Sequence, residues 1–342
     1  MDRSVQQSEK LSAQSLRDLG STAFERLGVP SDDARLCTDL LVMADLFGLK
    51  THGMSRLESY GERLRIGGIK SKPIIQIEQV ANAVIKVNGD NGLGPVVGMR
   101  TLHATMGVAR EHGVGIGLAR GSNHFGPISP YLYEAAQSGF ACLVCSNATT
   151  TIAPWGGSDA RLGNNPIGFG APGPDGNHFM LDMAISVAAR AKIRAALRDG
   201  MQIPSTWATD EQGLPTTDPA KALDGFLQPM GGYKGYGLAL MVDLLAGVMS
   251  DASYLTHVKS WVDAPEEPQN LGHFFLLIDT KVLGPSSWLL ERMKDFLQIL
   301  HASEPSDAAR PVLVPGEIEL GRMRERLRDG IDVDAALLKL LR

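Results

Sequence analysis

The fold turns on Gly113-Val-Gly-Ile-Gly-Leu-Ala-Arg120. Its Gly115-x-Gly117 pair invites comparison with the dinucleotide fingerprint, where strand, glycine-rich turn and helix follow in that order. Here the order is wrong. The segment follows a helical run, Val96 to His112, and is itself strand-like. Arg120 stands where the third glycine would be. A glycine-rich strand against which a neighbour packs closely is the better reading. The chain is therefore expected to be α/β, with a non-Rossmann core.

Further strands are expected on both sides. IIQIEQV and AVIKVNG (74–80 and 83–89) alternate like a pair. FACLVCSNA (140–148), HFMLDMAIS (178–186), GHFFLLIDTKVL (272–283) and the start of VLVPGEIEL (312–320) complete the set. Helices are expected after Ser15, as the cap of residues 16–28, and after Ser31-Asp32-Asp33, as the cap of residues 34–48. Others fall at 131–139, from Ser186 to Gly200, through the apolar run 233–250, at 286–303, and across 322–342. Residues 201–219 read as turns. The expected organisation is a helical region (1–74), an α/β core (75–290, helical near 186–250) and C-terminal helices (291–342) that pack with the first.

Composition removes several classes. There are 38 glycines in 342 residues, about 11% against a usual ~7%, without a collagen period. A net charge of -5 gives no footprint for nucleic acid. The most apolar stretch, Gly235 to Ser250, is too short for a bilayer and contains Asp243. The polar N-terminus lacks the apolar core of a signal peptide. Three unpatterned cysteines fit a reducing cytoplasm. Cys142 and Cys145 form a CxxC pair, but residues three apart on a strand face opposite sides. With no second pair, no metal site is expected.

The chemistry-bearing residues are few. His52 is a plausible general acid near neutral pH, and the Thr51 hydroxyl can hold one of its ring nitrogens. Arg56 suits a carboxylate, and Tyr60 follows at a spacing of four on the same face. His124 sits in a loop directly after a strand, a favoured place for a site. Asp182 is the single charge in an apolar strand, so it is paired or neutral. It either orients His52 or His124, or caps a helix. Gly231 to Gly237 offers amides and Lys234 at a helix start, an arrangement that binds anions, without a Walker A pattern. Pro315-Gly316-Glu317 is a turn whose glutamate is able to accept ribose hydroxyls.

In order, SNHFG, APWGG, GNNPIGF, LDMA-S, GGYKGYGLAL and VPGE resemble the type 2 malate/L-lactate dehydrogenases, the sulfolactate-dehydrogenase-like oxidoreductases. The likeness runs from about Ala44 to the end. It implies NAD(P)-dependent interconversion of 2-hydroxy and 2-oxo acids on a mixed-sheet dinucleotide-binding fold, in a homodimer. It makes His52 the proton donor, with Thr51 where the family has serine. It makes His124 a base and Asp182 the aspartate of the LDMA strand; beside the likeness, Asp182 is expected to help orient His52, and Arg56 and Tyr60 to contact the substrate. It assigns Asn123, Met183, Ser186, Ala188, Lys234, Gly235, Pro315, Gly316 and Glu317 to NAD or NADP.

Relatives in that family also reduce cyclic imino acids such as piperideine-2-carboxylate, or act on diketogulonate or ureidoglycolate. Acidic neighbours around His52 would favour an imine, which carries a cation at the reacting carbon. A non-catalytic dinucleotide-binding descendant is the reading from another class. It would bind cofactor and oxidise no acid.

Overall fold

The computed structural model describes residues 8–342, so the polar opening residues 1–7 lie outside it. The chain opens with β1 (Glu9–Leu11), α1 (Ala13–Arg26) and α2 (Ser31–Phe47), then a 3-10 turn (Lys50–His52) and α3 (Arg56–Ile66). The core follows as β2 (Gln76–Ala81), β3 (Val84–Asn88), α4 (Gly94–His112), β4 (Val114–Ser122), α5 (Ser129–Gln137) and β5 (Phe140–Ser146). Next come β6 (Thr150–Ile152), β7 (Leu162–Gly163), β8 (Ile167–Ala171) and β9 (Phe179–Met183). Helices α6 (Arg190–Arg198), α7 (Pro219–Asp224) and α8 (Tyr233–Val242) precede β10 (Leu271–Asp279). The chain closes with α9 (Ser286–His301), α10 (Glu317–Asp329), β11 (Ile331–Val333) and α11 (Ala335–Leu341).

The main sheet has seven strands in the order β2-β3-β4-β10-β5-β8-β9. It is mixed and open: β3 and β4 run parallel, and the other neighbours are antiparallel. The GVGIGLAR segment is strand β4. Its glycines admit α4. A Cβ at Gly117 would stand 2.2 Å from Thr105 Oγ1, and one at Gly115 would stand 2.6 Å from the Thr105 carbonyl.

Each sheet face has its own core. Cys142, Val144 and Phe275 join α2, α4 and α5 on one side. Cys145, Leu118 and Phe274 meet Val242 and Ala246 on the other. The two cysteines therefore do face opposite ways, and all three cysteines are free and buried. No helix is long and apolar enough to cross a membrane, and no group of metal-binding side chains occurs among the described residues.

Several boundaries differ from the expectations. Ser12, not Ser15, caps α1: its extended backbone lets Oγ accept the Ser15 amide at 3.0 Å. Pro30 precedes α2 and supplies no side-chain cap. The helix expected from Ser186 starts at Arg190, because residues 185–187 bond to 228–230 instead. The expected strand before Pro315 is irregular; the bond from this stretch to β9 is the Met180 amide to the Pro315 carbonyl, just beyond it. The closing helix is interrupted: Gly330 (φ 89°) ends α10, and Ile331–Val333 pair antiparallel with Glu9–Leu11. After α8 the chain takes a π-helical turn over Asp243–Val248. The buried Asp243 there accepts hydrogen bonds from Asn165 and Asn147.

Candidate active site

The turn carrying His52 is held from beneath. Asp45, buried in the last turn of α2, accepts the Met54 amide at 2.7 Å. A Cβ at Gly53 would fall 2.0 Å from Asp45 Oδ1, so the run Thr51-His52-Gly53 needs its glycine to close on that carboxylate. Burial lifts the Asp45 carboxyl to about 6.

Five sequence-predicted side chains meet above this turn. Thr51 Oγ1 lies 3.0 Å from His52 Nδ1. The His52 and His124 rings are 5.6 Å apart between centroids. The Tyr60 hydroxyl is 2.7 Å from His124 Nδ1 and 3.2 Å from the His124 carbonyl. One assignment satisfies both contacts: Tyr60 accepts from Nδ1–H and donates to the carbonyl, which leaves His124 Nε2 unprotonated. The Nε of Arg56 is buried without a hydrogen-bond partner, so its guanidinium keeps an open donor.

The charges follow from this crowding. Burial, then the Arg56 cation, lower the His52 pKa to about 4. Burial, then Arg56 and the neighbouring histidines, hold His124 well below the usual histidine range. Both rings are neutral at pH 7. A neutral imidazole is a base for a hydroxyl and needs a proton before it acts as an acid.

Three expected site residues already have partners within the chain. Asp182 orients neither histidine. Its Oδ2 accepts from the Ile128 and Ser129 amides and from the Ser129 hydroxyl at 2.6 Å, so it caps α5. Burial raises its pKa against the pull of those bonds. Asn123 donates to Asn91 Oδ1 and to the Gly92 carbonyl and accepts from Arg63, which leaves its amide no free N–H for a cofactor. Glu317 accepts the Val314 amide at 2.9 Å, and its other oxygen lies 2.9 Å from His301 Nε2.

Of the remaining expected cofactor residues, Met183, Ser186 and Ala188 fall along β9 and its continuation, and Lys234 and Gly235 at the start of α8. Val187 donates to the Gln228 carbonyl and Met230 to the Ile185 carbonyl, which ties the tail of β9 to the start of α8. Ser186 thereby pairs with Pro229, a few residues before Lys234 and Gly235. Ser186 is 8% exposed, and its Oγ has no partner. Lys234 is exposed in the first turn of α8, and Gly235 is buried beneath it. Pro315 and Gly316 lie against β9, where the Pro315 carbonyl accepts the Met180 amide.

The sequence reading missed Trp261, Arg63 and His273. Trp261 lies over Arg56 and beside His124. Arg63 lies three residues after Tyr60, a spacing that also shares a helix face, which was the available signal for it. His273 sits inside β10, between the Ser146 and Ser122 hydroxyls at 2.9 and 2.6 Å, and stacks on Phe125.

Burial drops the His273 pKa to about 3, against about 6.5 in an unfolded chain. The unfolded state thus binds the extra proton, so stability is full above pH 6.5 and falls as pH drops toward 3. At pH 5 the loss from this group is about 2 kcal/mol. His273→Gln should flatten the acid limb of stability by that amount, read as urea midpoints at pH 7 and pH 5. An unchanged slope would mean that His273 is not the titrating group.

Comparison with known proteins gives the chain a family. The family model described as malate/L-lactate dehydrogenase matches residues 11–342. An L-sulfolactate dehydrogenase of Methanocaldococcus jannaschii is 37% identical, over 93% of this chain and 91% of that one. A malate dehydrogenase of Pyrococcus horikoshii is 35% identical, over 92% and 89%. Among solved structures, a Δ1-piperideine-2-carboxylate reductase from Pseudomonas syringae superposes with TM-score 0.88 at 27% identity, over 97% of this chain and 98% of that one. The chain belongs to the malate/L-lactate dehydrogenase family.

Proposed function

We propose that the protein is an NAD(P)-dependent dehydrogenase that interconverts a small 2-hydroxy acid and its 2-oxo acid. The observation that carries this reading is a neutral histidine, His52, four residues from an arginine with an open guanidinium donor. Arg56 holds the substrate carboxylate through charge-assisted hydrogen bonds. His52 takes the hydroxyl proton in oxidation and returns one to the carbonyl oxygen in reduction. Thr51 fixes the ring through Nδ1. Tyr60 sets the tautomer of His124, which lines the same pocket.

The nicotinamide, when bound, supplies the hydride chemistry. The start of α8 suits the dinucleotide. It presents helix-terminal amides and the Lys234 ammonium, and the unpartnered, buried Ser186 hydroxyl lies on the segment that pairs with Pro229 just before it. Lys234→Ala should raise the cofactor KM by roughly tenfold with kcat little changed, since the lysine contacts phosphate equally in ground and transition states. A fall in kcat with an unchanged KM would remove Lys234 from that site. The fingerprint-like glycines of β4 take no part, because α4 covers them. We place the cofactor core at residues 75–290, under a helical layer drawn from both ends of the chain.

The electrostatics favour a ketone over an imine. Arg56 is the charged group that shifts His52, and it is a cation. A carboxylate on Arg56 is common to both substrates, and no acidic group among the described residues is a cause of the His52 shift, so none beside it stabilises an iminium cation. With NADH or NADPH, pyruvate or oxaloacetate should be reduced faster than piperideine-2-carboxylate, read at the nicotinamide absorbance. A preference for the imine would overturn the reading. Binding of cofactor with oxidation of no acid would instead favour the non-catalytic descendant. Leu238, Met241, Leu244 and Val248 make an exposed apolar stripe along α8 and the turn after it, which supports a homodimer. Three unpaired cysteines support a cytoplasmic setting.

A further inference from the structure

A loop with no motif brings an indole into the site. Between the π-helical turn and β10, residues 259–269 run through turns rich in charge: Lys259, Asp263, Glu266 and Glu267. Trp261 is half-buried and packs against the core. The Arg56 guanidinium carbon lies 5.1 Å from its ring centroid. The His124 ring lies 5.0 Å from it, tilted by 31°. One side chain thus spans the carboxylate anchor and the histidine beside His52.

A stacked indole covers the face of a guanidinium and leaves its in-plane N–H donors free. Trp261 therefore does not compete with a carboxylate for Arg56; it holds the plane of the fork. The carboxylate and the reacting carbonyl of a 2-oxo acid are then fixed by Arg56 and His52. The remaining direction from the reacting carbon, that of the third carbon and its substituent, is bounded by the indole.

The loop is anchored firmly enough for this wall to be rigid. Arg63, on the same helix as Arg56 and Tyr60, is buried and donates to five oxygens. Three of these belong to the loop: the Pro265 and Glu267 carbonyls at 3.0 and 2.8 Å, and Gln269 Oε1 at 3.1 Å. A fourth is Asn123 Oδ1 at 2.8 Å, the residue before His124. Lys259 pairs with Glu267 at 3.3 Å and closes the loop on itself. Helix α3 thus supplies the anchor, the tautomer-setting phenol and the clamp for the opposite wall.

We propose that Trp261 is the specificity-determining wall of the substrate pocket, limiting the protein to 2-oxo acids with short substituents. This rests on the 2-oxo acid reading above. The test compares the full-length protein with Trp261→Phe and Trp261→Ala on pyruvate, 2-oxobutyrate, 2-oxohexanoate and phenylpyruvate. Removing the indole should raise the kcat/KM ratio of phenylpyruvate to pyruvate by at least about tenfold, the scale on which a pocket discriminates by one or two methylenes. Phenylalanine should give an intermediate ratio, and the cofactor KM should stay constant in both variants. General damage to the loop would lower all four substrates together and leave the ratio flat. A flat ratio in both variants, with an active parent, overturns the Trp261 assignment alone. A parent that reduces none of the four acids overturns the functional reading, and this assignment with it.

Discussion

Replacing His52 with alanine should lower kcat for 2-oxo acid reduction by about 10²–10⁴ and leave cofactor binding unchanged. The range is that of a positioned acid or base, and the position is specific. His52 sits on a 3-10 turn whose far end is stapled to the buried Asp45, and its Nδ1 is held by Thr51. These contacts fix the ring whether or not it carries a proton, so the loss should fall on the proton-transfer step. Alanine leaves the α2–α3 connection intact, because the Asp45 bond is to the Met54 backbone. Steady-state rates of both reaction directions provide the check, alongside cofactor binding by fluorescence. Near-normal turnover of a confirmed substrate would show that the proton comes from elsewhere, with His124 the next group in line at 5.6 Å.

The parts of this site that were legible in the sequence lie close together along the chain. The Arg56–Tyr60 spacing predicted one helix face, and α3 supplies it. Thr51 beside His52 predicted a hydroxyl on the ring, and the 3.0 Å contact is there. The order of elements around GVGIGLAR argued for a strand, and β4 is one. What was illegible comes from segments far apart. Asp182 had two readings, a histidine partner or a cap, and periodicity cannot choose between them. The choice depends on α5 starting beside β9 in space. Trp261 carries no signal because its loop has neither period nor motif, and its place is set by Arg63, some two hundred residues earlier. The pairing of β1 with β11 joins the two ends of the described chain, and three residues on each side are too few to show a period.

Arg56→Leu should cost more in kcat/KM than any substitution outside the catalytic turn, and it should also move the pH profile. A charged hydrogen bond contributes about 1.5–3 kcal/mol, so a two-pronged contact to carboxylate sets a loss of roughly 10²–10⁴ in kcat/KM. Leucine keeps an apolar body against Trp261, so the loss should appear without a large change in stability. The second effect has a definite sign. Burial is the first cause of the low His52 pKa and the Arg56 cation is the second. Removing the cation raises the His52 pKa, so the protonated, reducing form should persist to higher pH in the variant. The parent achieves the same end by binding substrate. A carboxylate on Arg56 cancels the charge that depresses His52, and the ring gains affinity for a proton as the 2-oxo acid arrives. Binding of a non-reducible analogue such as oxamate to the parent with cofactor should therefore take up a fraction of a proton between pH 5 and 7. In calorimetry this appears as a binding enthalpy that changes with the ionisation enthalpy of the buffer. The variant should show weaker binding and no such dependence. Buffer-independent enthalpy in the parent would break the link between carboxylate capture and the acid that protonates the carbonyl.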